Sequence, residues 1–293
     1  MIVVKLKGGL GNQMFQYAIG RNLSIILGKK LFLELGSFEP ENVIPSETPR
    51  KYELGIFNFN HLKAGQTVLK RVKGYQNSNL VGKIFNRIFP SRQFKIIDDH
   101  NAFSSDELKR FKVVLIDGYF QSENYFIENA HTIRQDFEFP KETGIRNLEM
   151  KKKITGSDAV SVHVRRGDYV SNASAFIHHG VCSREYYDKA IQLMKNSAPE
   201  APLFYFTDDV DWVRTELMPM FPGELVSDVN RNAHDDLFLM SCCKHHIISN
   251  SSFSWWGAWL GGRIDSKIIA PMNWFANKGI DISHLIPSSW IQI

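Results

Sequence analysis

The stretch from residue 160 to residue 170 reads Val-Ser-Val-His-Val-Arg-Arg-Gly-Asp-Tyr-Val. Arg165 and Arg166 carry the side chain best suited to a phosphate, because the planar guanidinium donates two parallel charge-assisted hydrogen bonds. They follow an alternating apolar run. In a strand, Val160, Val162 and Val164 share one face, and Ser161, His163 and Arg165 share the other. An open α/β sheet builds its ligand crevice from the C-terminal ends of such strands. The expectation is therefore a phosphate-bearing ligand faced by His163 and Arg165 together, with Arg166 and Asp168 close by. Set against it is the plainer reading of two solvated arginines at a strand end. Arg166-Gly167-Asp168 as an adhesion signal is set aside, because it follows a buried-looking strand rather than sitting on a loop tip.

Two further stretches join this one. Asn250-Ser251-Ser252-Phe253 lies between an apolar strand and an apolar helix, where free backbone N–H groups, serine hydroxyls and the helix dipole favour an anion. Thr207-Asp208-Asp209 ends another strand and offers carboxylates to a base edge or a ribose hydroxyl. Arginine and a helix N-terminus together can neutralise a leaving pyrophosphate without a metal. The combination suggests a nucleotide-diphosphate sugar donor. Asp209-Val210-Asp211 has the form of a metal-binding Asp-x-Asp motif, but aspartate also favours helix N-caps, which is the preferred reading. The pairs His178-His179 and His245-His246 are poor metal sites, because neighbouring strand residues face opposite ways. Trp255, Trp256 and Trp259 are read as core, and Cys242 and Cys243 as buried helix residues.

The elements that must position these groups follow from pattern. Residues 2–6 read as a strand, Gly8-Gly9-Leu10-Gly11-Asn12-Gln13 as a glycine-rich turn, and a helix from about Asn12 runs to Gly28. Residues 31–33 form the next strand. Met14 stands where a dinucleotide fingerprint needs a third small residue, although Glu34 suits its ribose-binding acid; the match is partial. Residues 36–60 look like a loop excursion. Residues 63–95 form a basic stretch, Lys63 to Lys95, with apolar residues at near-helical spacing. It reads as a solvated amphipathic helix, with contact to an anionic membrane surface as the alternative. Residues 113–116 are a strand, 118–122 a loop, and 141–153 a charged linker. After it, strands at 159–165, 203–207, 224–226, 246–249 and 267–270 alternate with helices. Ser183 and Asn232 serve as N-caps, the latter with Asp235 three places on. This alternation argues for a doubly wound parallel sheet.

The totals bound the function. The chain has 293 residues, 43% hydrophobic and 23% charged, enough for two ordinary domains. A net charge of +4 is too small to argue for nucleic acid. Cys182, Cys242 and Cys243 make no even framework, which suits a reducing compartment. The sequons at Asn172 and Asn250 are then accidental. No apolar run reaches the roughly 18–20 residues of a membrane span. The first residues are too short and too little charged for a signal peptide.

Four motifs in this order resemble the glycosyltransferase family 11 fucosyltransferases: Gly8-Gly9-Leu10-Gly11-Asn12-Gln13-Met14-Phe15-Gln16-Tyr17, His163-Val164-Arg165-Arg166-Gly167-Asp168-Tyr169, Phe206-Thr207-Asp208-Asp209, and Ile248 to Gly257. The resemblance implies an α/β chain of GT-B type, two Rossmann-like domains facing across a cleft. The expected division is 1–153, on the acceptor side, and 154–293, binding GDP-fucose. It implies inverting transfer of fucose to a galactose 2-hydroxyl on an oligosaccharide or lipid-linked glycan, with no metal or other cofactor. Carried over, Arg165 binds the β-phosphate, and His163 with Asp208 or Asp209 lies near the guanine or ribose. Asn250, Ser251, Ser252 and Phe253 hold pyrophosphate and fucose, and Arg166 flanks them. Asn12 matches an asparagine placed near the reacting centre, with Gly9, Gly11 and Gln13 in its loop on the acceptor side. Asp168 is the leading candidate for general base, with a salt bridge to the arginines as the equal alternative. Without a membrane anchor the chain resembles the bacterial, cytoplasmic members, which build surface glycans. A non-catalytic nucleotide or glycan binder, an NAD-type oxidoreductase and a metal-dependent sugar transferase are the competing readings.

Overall fold

Parallel strands in two separate units carry the rims where the candidate residues lie. The structure, a computed structural model, describes residues 1–293 except 43–48, 60–61, 77–93, 100–102, 141–143, 173–175, 178–179, 228–230, 278 and 280–281; the side chains of 71, 73–76, 168 and 171 are also outside it. One unit spans Met1–Glu138 and the other Phe139–Ile293.

In the first unit, β1 (Ile2–Lys5), β2 (Leu31–Glu34), β3 (Phe94–Ile97) and β4 (Val113–Ile116) form one parallel sheet in the order β2-β1-β4-β3. Val3 lies opposite Phe32 on one side and Leu115 on the other. The near-continuous apolar runs of β1 and β4 are those of strands covered on both faces. The helix Leu10–Leu27 crosses from β1 to β2 and ends at Gly28 in the left-handed conformation, as expected. Gly20 sets how closely this helix lies on the sheet: a Cβ there would stand 2.3 Å from Val4 Cγ2. Met14 is fully buried in the same helix. Where it is described, the basic stretch meets the helix expectation over part of its length and departs from it at its end. It holds a helix, Gln66–Gln76, and ends in β3, while the expected apolar repeat from Val81 to Phe89 lies outside the described residues.

In the second unit, β5 (Val160–Val164), β6 (Leu203–Thr207), β7 (Glu224–Leu225), β8 (His245–Ile247), β9 (Ile268–Ala270) and β10 (Ile291–Gln292) form a parallel sheet ordered β10-β9-β8-β5-β6-β7. Val160, Val162 and Val164 pack with Leu203 and Tyr205 against Tyr187, Ile191 and Met194 of the helix Arg184–Ser197. Phe204 and Phe206 face the other way, onto Ile154, Leu239 and Met240. Trp255 and Trp256 are fully buried and Trp259 nearly so, in the helix Ser252–Gly261. This is the doubly wound arrangement the β/α alternation predicts.

The segment read as a linker is corrected in part. Residues 145–155 form a helix whose Ile154 belongs to the core of the second unit and whose Asn147 donates to Asp235 Oδ1 at 2.6 Å. The division between units therefore falls at residue 138 and not at 153. Four charged residues from Glu149 to Lys153 hid a helix that is anchored by only a few apolar contacts. Among the described residues no helix is long and apolar enough to cross a membrane.

Candidate functional site

The second sheet reverses its strand order once. In the second unit the chain leaves β5 towards β6 and β7, then returns to β8 and proceeds outwards to β9 and β10. The crevice at such a switch point lies beyond the carboxyl ends of the two central strands, here β5 and β8. Three of the sequence motifs end there.

His163 is the last residue on the Ser161 face of β5. Its Nδ1 lies 2.8 Å from Ser249 Oγ, just beyond β8, and its ring sits 5.6 Å from that of Phe253. Burial, helped by the Arg165 charge, pushes its pKa down to about 3, so the imidazole is neutral at neutral pH. Two places earlier on the same face, Ser161 Oγ makes a matching 2.7 Å bond to His246 Nδ1. His245 faces the other way and accepts from the Lys267 N–H at 3.0 Å, as adjacent strand residues must.

The arginines turn towards β6. Arg165 Nη1 meets Asp208 Oδ2 at 3.0 Å, and its guanidinium lies 5.4 Å from the centre of the Tyr169 ring. Arg166 Nε meets Asp209 Oδ2 at 3.0 Å, with its guanidinium 4.5 Å from the Trp212 ring. The Arg166 N–H donates to Asp208 Oδ1 at 2.8 Å. A Cβ on Gly167 would lie 2.7 Å from Asp208 Oδ2, so only glycine lets the two loops close on each other here. Both guanidiniums are between a fifth and a quarter exposed. The arrangement holds two cationic forks in fixed orientation at the rim, which is what a preorganised anion site requires.

Asp209 is also the N-cap expected of it: its Oδ1 accepts from the Trp212 N–H at 3.1 Å. Ser251 caps the helix Ser252–Gly261, accepting from the Phe253 N–H at 3.3 Å. Asn250 is buried and donates to the Trp274 carbonyl at 3.2 Å, while its Oδ1 accepts from Cys182 Sγ at 3.5 Å. Burial pushes the Cys182 thiol up to about 12. Asp168 lies on the short helix Gly167–Ser171, and its side chain is outside the described residues. Behind the arginine pairs runs a chain of hydrogen bonds. The Asp209 N–H donates to Thr207 Oγ1, the Thr207 N–H to Ser227 Oγ, and Ser227 Oγ to Asp236 Oδ2 at 2.9, 2.9 and 2.5 Å.

The first unit brings its own candidates to the rim of its two central strands, β1 and β4. Gly8 has φ +76, and the Asn12 amide lies over it so closely that a Cβ would be 2.7 Å from Asn12 Nδ2. Gln121 Nε2, from the loop after β4, donates to Asn12 Oδ1 at 2.6 Å. Gln13 is fully buried and ties the glycine turn together, donating to the Gly8 and Lys51 carbonyls and accepting from the Glu53 N–H. Gln13 is thus a scaffold of the loop that Gly9 and Gly11 belong to. Glu34 binds its own turn through the Gly36 N–H at 2.7 Å.

Sequence reasoning placed His163, Arg165, Arg166, Asp208, Asp209 and Asn250 to Phe253 at one sheet edge, and the structure brings them there. It missed Ser249, Tyr169, Trp212 and Gln121 as partners. Trp212 was findable, standing three places after a capping aspartate. Gln121 carried no local signal, because its partner is far away in the chain.

Comparison with known proteins adds the following. The model of "Glycosyl transferase family 11" matches residues 84–293. An Escherichia coli alpha-1,2-colitosyltransferase is 33% identical over 304 residues, covering 100% of this chain and 99% of its own. The Escherichia coli O-antigen biosynthesis glycosyltransferase WbnK is 30% identical, covering 98% and 99%. A Caenorhabditis elegans galactoside 2-alpha-L-fucosyltransferase is 28% identical, covering 87% and 68%. A match across most of the chain, with two full-length relatives at 30% identity or above, makes this protein a member of glycosyltransferase family 11.

Proposed function

We propose that the chain transfers L-fucose, with inversion, from GDP-fucose to the 2-hydroxyl of a galactose-terminated glycan, forming an α-1,2 linkage without a metal. The observation that carries this reading is the β5/β8 rim, with Arg165 beside neutral His163 and the capped helix of Ser251 and Ser252 opposite. The names of the relatives support the linkage and the fucosyl group.

The acceptor hydroxyl attacks the anomeric carbon opposite the departing GDP. Negative charge grows on the β-phosphate oxygen as the glycosidic bond breaks. Arg165, already oriented by Asp208 and Tyr169, meets that charge most strongly in the transition state, which is what acceleration requires. Asp208 and Asp209 act on the donor through the arginines they hold. Asn250, Ser251, Ser252 and Phe253 line the pyrophosphate and sugar. Asp168 is the proposed base, and Asn12 is assigned to the acceptor side. The second unit thus takes the donor and the first the acceptor. The enzyme works in the cytoplasm on a surface-glycan precursor, oligosaccharide or lipid-linked.

A second donor deserves the same assay, because a relative at 33% identity is named a colitosyltransferase. GDP release is measured with chelator present, using GDP-fucose, GDP-colitose, GDP-mannose and UDP-galactose against galactose-terminated acceptors. Release from GDP-fucose, stimulated by one acceptor, is the expected result. Preference for GDP-colitose moves the donor assignment, and loss of activity in chelator removes metal independence. Absence of release from every donor leaves a binding module.

A further inference from the structure

The loop after β4 is held in a conformation that its own sequence disfavours. Phe120 has φ +49, a value L residues adopt only under constraint, and one that costs of order 1–3 kcal/mol. Two features impose it. The Asp99 carboxylate, just beyond β3, accepts from the Tyr119 N–H at 2.7 Å and from the Phe120 N–H at 2.6 Å. The Phe120 ring is buried, 5.1 Å from Tyr125 and 6.5 Å from Phe103. Gly118 admits the carboxylate, since a Cβ there would be 2.7 Å from Asp99 Oδ1.

This clamp determines where the neighbours point. With Phe120 turned inwards, Tyr119 turns out and is 40% exposed, with the Lys7 ammonium 5.0 Å from its ring centre. Lys7 is itself tied to Asp117 at 3.1 Å, as is Lys5 at 3.2 Å. Gln121 reaches across to Asn12 and fixes the end of that amide that accepts, leaving Nδ2 over Gly8. An exposed aromatic ring two residues before the glutamine that orients an amide, at the rim of the central strands β1 and β4, matches a pyranose, which has an apolar C–H face edged by hydroxyls.

We propose that the Tyr119 ring is a platform for the acceptor sugar, working with the acceptor-side Asn12. The Tyr119 ring packs against the sugar's C–H face, and Asn12, positioned by Gln121, donates to a hydroxyl. The inference rests on the chain being a transferase with a glycan acceptor, and it names the residues that would take that acceptor.

The test measures acceptor KM, donor KM and thermal unfolding for wild type, Tyr119→Ala, Tyr119→Phe and Gln121→Glu. Saturation-transfer NMR with lactose and N-acetyllactosamine, without donor, runs on the same samples. Tyr119→Ala raises acceptor KM about fivefold to tenfold, and Tyr119→Phe restores it to within about twofold. Gln121→Glu, which turns the Asn12 amide end for end, raises it as well. Donor KM and the unfolding midpoint stay at wild-type values. An unchanged acceptor KM in Tyr119→Ala overturns the proposal, as does an equal rise in donor KM. If wild type turns over no nucleotide sugar, the transferase reading fails separately. Saturation transfer lost in Tyr119→Ala then still upholds the sugar subsite, and no transfer in wild type removes it.

Discussion

At the β5/β8 rim the converging groups are two guanidiniums, two carboxylates, a neutral imidazole and serine hydroxyls. At the β1/β4 rim they are two amides, an aromatic ring, and one carboxylate shared by two lysines. Both rims lie beyond the carboxyl ends of central parallel strands, and both are entered by a short loop that needs a glycine. Topology therefore selects the place twice, while the side chains select the chemistry. Rigidity is also achieved differently. The second unit fixes its arginines with ion pairs between strands, whereas the first fixes its loop by a strained residue under a carboxylate clamp.

The largest expected effect separates the two rims by function. Arg165→Ala costs roughly 3 kcal/mol in barrier, about a hundredfold in turnover, by analogy with loss of an oxyanion donor. Single-turnover GDP release measures it, and near-normal turnover with an intact fold breaks the assignment of charge stabilisation to the second rim.

Acid comes next. His163 and His246 are buried neutral, both pushed down to about 3, and among the described residues the first unit has no such histidine. Unfolding lets each take up a proton at its ordinary value of 6.5, so the unfolded state binds more protons between about 6.5 and 3. Their stabilising contribution is complete above that window and declines as pH falls through it, at up to about 1.4 kcal/mol per unit for each. Hydrogen exchange at pH 7 and pH 5 should show the second unit losing protection more steeply. Equal losses in both units break the contrast.

Asp99→Ala tests the clamp. It leaves the Tyr119 and Phe120 N–H groups without their acceptor and should cost about 2 kcal/mol in urea unfolding, since hydrogen bonds to charged groups are the stronger kind. A neutral outcome would mean that the buried Phe120 ring alone holds the loop. The smallest effect is that of Ser251→Ala, which removes a helix cap and should lower stability by about 1 kcal/mol, read as a shift in the urea midpoint.

How much of this could be read from residues alone depends on how far away the partners lie. The alternation of β5, the stop at Gly28 and the caps at Ser183, Asn232 and Asp209 are local signals, and each appears in the structure. The parallel order of the second sheet followed from the spacing of strands and helices. β3 and β10 did not: the first is four residues at the end of the basic stretch read as a helix, the second only two, and neighbouring strands supply what their own patterns lack. The helix Ile145–Thr155 was hidden because its stability comes from contacts with the second unit's core and not from a strong apolar stripe. Arg165–Asp208 and Gln121–Asn12 join residues far apart in the chain, and only the fold brings them together.

The buried Cys182 beneath Asn250 has a practical use. Its thiol is held protonated and shielded, so an alkylating reagent can reach it only when the surrounding structure opens. Cys243 is equally shielded, just before β8, at the opposite edge of the same sheet. The two thiols are built-in clocks at the two ends of one strand layer. Comparing their labelling rates, with and without nucleotide, would time the breathing of the rim against that of the whole unit without adding a single foreign probe.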